Sequence, residues 1–419
     1  MQVDSEIRVP EGAHDLEIRG APEGTTLLAG PGFRGRAILS LKGGRSIRIR
    51  RLGFDGNRAA LAAPAGLPPS SVAFVRFTTA NALLAEEVAA LAVEQCAFRN
   101  VAGFAILVAA SKDVRIENVT VENSGSRNQK DRNNTTGGIL LEEGTAGFEV
   151  RGSTFRNVEG NGVWTHSNYG SSRNGPGLIV ENRFDTIGRD AIQVGHATEV
   201  KVLANRGVRI GYPVEVVDVE GGATPVGIDT SGNVDRSAYN DNRFEELNGK
   251  CIDLDGFHDG EVRRNTCLNR GRAEDYPSGH FAMVVNNWNP DMKSENIAIV
   301  DNLVDGSKFG GIFLLGSRHK VLGNRLLNLN LAGCNESRAR FGCVAIQGEP
   351  DVLQSGIYLG RIAAEWAQKR GDASRDLVIE NNLITGHRMK TRCIMAAPGV
   401  SLEESVVRGN TCEDTARKP

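Results

Sequence analysis

Asparagine returns in this chain at an interval that few folds can use. Aligned on short apolar strands, "LIVENRF" places Asn182, "VLANRGV" Asn205, "YNDNRFE" Asn242, "VRRNTCL" Asn265, "IVDNLVD" Asn302, "VLGNRLL" Asn324, "VIENNLI" Asn382 and "VRGNTCE" Asn410. Asn182 to Asn205 and Asn242 to Asn265 are each 23 residues, and Asn302 to Asn324 is 22. A period in the low twenties with β-branched residues around each asparagine specifies a solenoid. Asparagine tolerates the left-handed conformation, and its amide can bond to the same atoms one coil away, so a stacked column of them has a structural role.

Leucine-rich repeats would show a fixed Leu-x-x-Leu-x-Leu frame and helical repeats a 3.6-residue period, and neither is present. Each turn instead reads strand, asparagine corner, strand, glycine-rich corner, strand, which is the grammar of a parallel β-helix. Fifty glycines and 5% aromatic residues agree with a loop-rich β protein. The chain, 419 residues and 40% hydrophobic, can bury a substantial core. A formal charge of -2 gives no sign of nucleic acid or of an anionic membrane as partner. No apolar run approaches the ~18 residues of a membrane span. The opening "MQVDSEIRVPEG" has neither the basic nor the apolar region of a signal peptide, so the expectation for an exported protein is that its leader has been removed.

With turns such as "GGIFLLGSRHKVLGNRLL" (310–327), the repeat resembles the pectate-lyase-like superfamily over about residues 95–415. The resemblance implies an all-β, single-stranded right-handed parallel β-helix of roughly ten or more coils, with loop excursions and one or two short helices. It does not imply one activity, because this fold hosts several chemistries. The polygalacturonase-type Asn-Thr-Asp and Asp-Asp motifs are missing, as is the Arg-His-Gly segment of chondroitinase and alginate lyase relatives, so no catalytic residue is carried over.

The chain is expected to form one domain over 1–419, with N-terminal coils to about residue 95 and the main array over 96–415. "NALLAEEVAALAVEQ" (81–95) fits a short helix or an apolar coil, and "RIAAEWAQKRGD" (361–372) is the better helix. Polar insertions at 124–136, 167–176, 220–240 and 270–279 read as loops, where function concentrates. Cys251 and Cys267 are 16 apart and Cys393 and Cys412 19 apart, in matching frames; Cys334 and Cys343 bracket a loop and Cys96 is left over. Three nearby pairs predict three disulfides and a secreted or periplasmic protein; buried thiols in a reduced cytosol are the alternative. No Cys-x-x-Cys spacing suggests zinc.

Alternation separates the faces of the strand that opens each coil. The inward column is read as Ile106/Val108, Ile139/Leu141, Val163/Thr165, Ile192/Val194, Val214/Val216, Ile252/Leu254 and Ile312/Leu314. Outward positions are then Glu142, Trp164 and His166, Gln193, Glu215, Asp253 and Asp255, Met283 and Val285, with Phe313 beyond. Coils stack ~4.8 Å apart, so this register predicts a carboxylate pair of Glu215 and Asp253, an acid with a nucleophile or base, with Asp255 beside them. His166 orients or protonates the substrate, and Trp164 offers a platform to a sugar ring. Glu142, Gln193, His196, His258, Lys250, Arg189, Asp229 and Trp288 complete the expected substrate surface. Asp253 and Asp255 have a plainer alternative as turn-capping residues in "DLDGFHDG", and each histidine as a surface residue.

The expected function is cleavage or rearrangement of glycosidic linkages in a poly- or oligosaccharide, without a cofactor. A calcium-dependent uronate lyase or epimerase is the alternative, with Glu215, Asp253 and Asp255 as oxygen ligands and Lys250 or an arginine as base. A non-catalytic glycan-binding or surface β-helix is the third reading. A homo-oligomer with sites between subunits stays open.

Overall fold

The computed structural model describes residues 1–64, 66–218, 224–287, 289–334, 343, 349, 351–361 and 373–415. Two compact units divide the chain, Met1–Ala223 and Thr224–Pro419, and each is a stack of parallel coils. The predicted helix at 361–372 falls almost wholly outside the described residues.

In the first unit one row of strands runs through Asn81–Glu86, Ile106–Ala109, Ile139–Glu142, Val163–His166 and Ile192–Thr198, each parallel to the next. A second row includes Ala97–Arg99, Thr120–Ser124, Thr154–Val158, Arg183–Ile187 and Arg206–Ile210. A third includes Ala89–Glu94, Lys112–Glu117, Phe148–Arg151, Gly177–Val180 and Val200–Leu203. Residues 81–95 are therefore two strands and not a helix. Their alanines and leucines have helical propensity, but Leu83 and Leu91 are needed in two different rows, and the tertiary requirement wins. Two four-residue helices, Arg58–Leu61 and Phe74–Phe77, leave the coils ahead of these strands.

The second unit repeats the pattern. Its first row comprises Val226–Asp235, Lys250–His258, Met283–Val285, Ile312–Leu314, Ile357–Leu359 and Ile394–Ala396. The column Ile228, Ile252, Met283, Ile312, Ile357, Ile394 is in register. Met283 and Val285 thus point inward with Ile252 and Leu254, and Val284 takes the outward place, correcting the alternation by one residue. The interval 220–240 is not simply a loop, since Val226–Asp235 is a strand inside it. Its glycines and serine resemble turn chemistry, yet Thr230 faces inward and its hydroxyl meets Tyr239 Oη at 2.8 Å.

The asparagine column holds each stack along one corner. Asn242, Asn265, Asn302, Asn324 and Asn382 each point their backbone N–H at the side-chain oxygen of the next, at 2.9–3.0 Å, ending on Asn410. Their amide nitrogens donate to that same oxygen and to nearby carbonyls, as Asn302 Nδ2 does to Val262 O at 3.0 Å. In the first unit Asn182 bonds to Asn205 in the same way, and Ser153 precedes them. The left-handed residue is the one before each ladder asparagine: Glu181 (φ 58), Asp241 (φ 60), Arg264 (φ 53), Asp301 (φ 55) and Asn381 (φ 58). The ladder asparagines serve through their amides and not through unusual backbone freedom. At Gly323 (φ 63) a Cβ would come 2.5 Å from Asp301 Oδ1, so this corner excludes a side chain.

Asn302→Ala is expected to cost about 2–4 kcal/mol of stability, because it strands the Asn265 N–H and the Val262 carbonyl in a buried corner. Equilibrium denaturation measures this, and a cost within experimental error would remove the ladder as a source of stability.

The three expected disulfides are present, Cys251–Cys267, Cys334–Cys343 and Cys393–Cys412, and Cys96 is a buried free thiol. Among the described residues no helix is long and apolar enough to cross a membrane.

Candidate functional site

The register of the second unit brings together a set of carboxylates different from the expected pair. Glu215 lies not on a strand but on the 3-10 turn Val214–Val216, exposed, with its carbonyl accepting a hydrogen bond from Arg132. Pro213 before it cannot donate to a ladder, and "VEV" imitates a strand only over three residues. The strand preceding Asp253 is Val226–Asp235, which sets Asp229 directly against Asp253 and Ser231 against Asp255. Asp229, expected in a loop wall, takes the place expected of Glu215. The corrected register likewise removes Glu215 from any calcium set with Asp253 and Asp255.

Asp253 is buried and Asp255 half-buried on the outward face of Lys250–His258. The Lys250 ammonium bonds to Asp253 Oδ2, while Asp253 Oδ1 is buried with no hydrogen-bond partner among the described residues. Burial acts against the charge on Lys250, but Asp253, joined by Asp229 and Asp255, holds its pKa above the ordinary lysine value. Burial pushes the Asp255 carboxyl up. A hydrogen bond from Asn287 Nδ2 at 2.6 Å opposes the rise, and the charge of Asp253 adds to it.

Two residues not expected from the sequence complete this cluster. His280 lies one residue before Phe281, at the coil level next to Lys250, and burial together with the charges of Lys250 and Lys308 pushes its pKa down to about 4. It is a neutral imidazole at pH 7, and its Nδ1, like Asn286 Oδ1, is buried without a partner among the described residues. Only the correct register of Met283–Val285 could have shown His280 near Lys250 and Asn286 beside Leu254, and the outward reading of Met283 hid it. His258 is engaged at the strand's end, its ring nitrogens 3.0 Å from Asp259 Oδ2 and 3.1 Å from Asn233 Oδ1. Trp288 lies outside the described residues.

The remaining expected residues belong to the first unit and do different work. Trp164 is 6% exposed, packed edge-on against Phe74 at 4.8 Å within a cluster of Phe104, Leu107 and Leu140. Its ring has no open face for a sugar. Glu142 is wholly buried, and its carboxylate accepts the N–H groups of Phe74 at 3.0 Å and Val75 at 2.5 Å, capping the helix Phe74–Phe77. His166, in register with Glu142, sits 3.7 Å from it and edge-on to Phe74 at 5.3 Å. Gln193 is buried and accepts a hydrogen bond from Asn161 at 2.7 Å. His196 packs on Tyr169 at 4.9 Å, its pKa lowered by burial and then by Arg173. Arg189 Nε is 3.8 Å from Asp190. Glu142, Glu143 and His166 bring potential metal donors within 4.8 Å of one another, but Glu142 is already the helix cap and Glu143 accepts from Asn168 N and Ser171 Oγ.

Residues 71–227 match the family model for the right handed beta helix region. That match, with the coils described above, identifies the fold as a right-handed parallel β-helix. No curated protein matches it. Among solved structures this β-helix is similar to the N-terminal fragment of bacteriophage Phi29 gene product 12, with a TM-score of 0.61 and 12% identity over 98% of this chain and 66% of that one. It is also similar to the Dettilon tailspike protein gp208, at TM-score 0.52, 10% identity and 93% and 60% coverage. PfbA, a surface adhesin of Streptococcus pneumoniae, gives TM-score 0.50, 12% identity and 78% and 83% coverage. The β-helix thus spans 60% of the tailspike and 66% of the Phi29 fragment. At these identities the likeness is one of fold.

Proposed function

We propose that this β-helix is a carbohydrate-active enzyme that cleaves or transfers glycosidic linkages at the Asp229, Lys250, Asp253, Asp255 cluster. The observation that carries the reading is Asp253: Lys250 holds one carboxylate oxygen, and the other is buried with no partner among the described residues. Such an oxygen is costly to bury unless something else bonds to it, and a sugar hydroxyl or an attacking water supplies that bond. Asp255, raised by burial, is the proton carrier and gives its proton to the departing glycosidic oxygen. Asp253 is the nucleophile or base, with Asp229 in register beside it. Two residues apart on one strand face, Asp253 and Asp255 are separated by roughly 7 Å at Cα, a spacing that leaves room for a water molecule between carboxyls. His280 supplies a neutral imidazole at the same level as Lys250.

A calcium-dependent uronate lyase or epimerase is less well supported at this cluster. Lys250 already provides the counter-charge a cation would bring, and its raised pKa keeps it protonated, unsuited to act as base. The tailspike and adhesin relatives make a non-catalytic glycan-binding surface protein the third reading. Secretion is consistent with the three disulfides.

The test is a panel of neutral and acidic glycans, with and without EDTA, read by reducing ends and ultraviolet absorbance together. New reducing ends insensitive to EDTA are expected. EDTA-sensitive unsaturated-uronate absorbance would overturn the proposal in favour of elimination, and binding without any turnover would favour the third reading. The rate should fall with rising pH as Asp255 loses its proton. Asn287→Leu removes the hydrogen bond that favours the charged form, so this alkaline limb should move to higher pH. A limb that stays in place would sink the assignment of Asp255 as the acid.

A further inference from the structure

The first unit carries a cavity of 520 Å³ whose charged and amide groups are Arg58, Asn123, Arg127, Asn157, Glu159 and Arg209, with Tyr212 also lining it. That volume is in the range of small-ligand sites. Its guanidinium groups arrive from distant parts of the chain. Arg58, at the start of a short helix, places Nη2 2.5 Å from Glu159 Oε1, and Arg127 places Nε 3.1 Å from Glu159 Oε2. Arg209 reaches from a neighbouring coil to Asp185, with its Nε 3.0 Å from Thr186 Oγ1. Asn157 and Asn123 stack at an exposed corner, amide to amide at 3.1 Å.

Stability alone does not account for this arrangement. Glu159 is only 12% exposed, and partly buried ion pairs commonly contribute little or nothing net. The wall sets three guanidinium groups against one carboxylate. The other two counter-charges, Asp131 beside Arg127 and Asp185 beside Arg209, are 81% and 37% exposed, so they are solvated and readily exchanged for a ligand's carboxylate. Guanidinium forks recognise carboxylates by paired, planar hydrogen bonds, and fixing them beforehand lowers the cost of binding. The asparagine amides are suited to ring hydroxyls, and Tyr212 to the apolar face of a sugar.

We propose that this cavity binds a uronate unit of an acidic glycan, its carboxylate taken by Arg127 and Arg209 and its hydroxyls by Asn123 and Asn157. The site is separate from the aspartate cluster in its residues, and the inference does not rest on the reading of that cluster.

Titration calorimetry with an oligogalacturonate, a neutral galacto-oligosaccharide of equal length, and acetate tests it on the full chain. The oligogalacturonate should bind with an affinity that falls as salt rises, and the neutral oligomer about tenfold more weakly or worse. Arg127→Gln and Arg209→Gln should each lower the uronate affinity by about tenfold or more, while Arg264→Gln, an exposed arginine outside the cavity, leaves it unchanged. Circular dichroism checks folding, and Arg209, half-exposed, keeps the test valid if Arg127→Gln unfolds. Equal binding of the neutral oligomer, competition by acetate at the uronate's own concentration, insensitivity to both arginine changes, or an equal loss in Arg264→Gln would each overturn the proposal.

Discussion

Asp253→Asn is expected to lower kcat on the responsive glycan by about 10³-fold or more, with KM changing far less. Asparagine keeps the shape and can still accept a hydrogen bond from Lys250, so the packing of the strand Lys250–His258 is retained. It lacks the negative charge that accepts a proton or stabilises a developing cation, and that is a loss felt in the transition state more than in the bound substrate. Lys250→Met makes a different prediction, because it leaves Asp253 buried without its counter-charge. An uncompensated buried charge is costly, so this variant should lose about 3–5 kcal/mol of stability as well as activity, and equilibrium denaturation beside rate measurements separates the two losses. Asp259→Asn, an exposed change near the end of the same strand, should leave the rate at the parent's level. A folded Asp253→Asn protein with the parent's kcat would remove the cluster from catalysis altogether.

Much of the scaffold can be read before any coordinates, for reasons that particular residues make clear. Asn265 and Asn302 sit in a corner where their amides bond to the next coil, and that requirement stamps one residue type on successive coils, 22 or 23 residues apart where no longer excursion intervenes. The disulfides are legible for the same reason, since Cys251 and Cys267 fall in a sequence frame that Cys393 and Cys412 repeat. The site was harder. Apolar alternation identifies a strand only where the inward residues are apolar, and Val226–Asp235 uses Thr230 inward, satisfied by the Tyr239 hydroxyl. That strand looks like a loop, "VEV" at 214–216 looks like a strand, and one exchange puts Glu215 where Asp229 belongs. Asp253 and Asp255 survive the error because their own strand has Ile252 and Leu254 inward without ambiguity.

Trp164 and Glu142 fail for another reason: outward from the coil is not the same as exposed. The helix Phe74–Phe77 lies on that face, and its Phe74 ring covers Trp164. Nothing in the local sequence of Val163–His166 could reveal a cover that comes from ninety residues earlier in the chain.

This cover yields the largest stability effect expected in the first unit. Glu142→Ala should destabilise the protein by about 3–5 kcal/mol. The change strands the Phe74 and Val75 N–H groups, buried at a helix start where no other side chain caps them, and leaves a void under the helix. Glu142→Gln should cost less, because the amide oxygen still accepts one of the two bonds while its NH2 group faces donors at the other. A readout beyond the denaturation midpoint comes from Trp164. If the Phe74–Phe77 segment detaches in the alanine variant, its covered indole meets water, and emission should shift to the red and become open to a soluble quencher. Trp164→Phe in the same background should abolish that shift, assigning it among the chain's three tryptophans. An alanine variant as stable as the parent, with unshifted emission, would mean that Glu142 is not the anchor of this helix, and would return its carboxylate to consideration as a partner for His166.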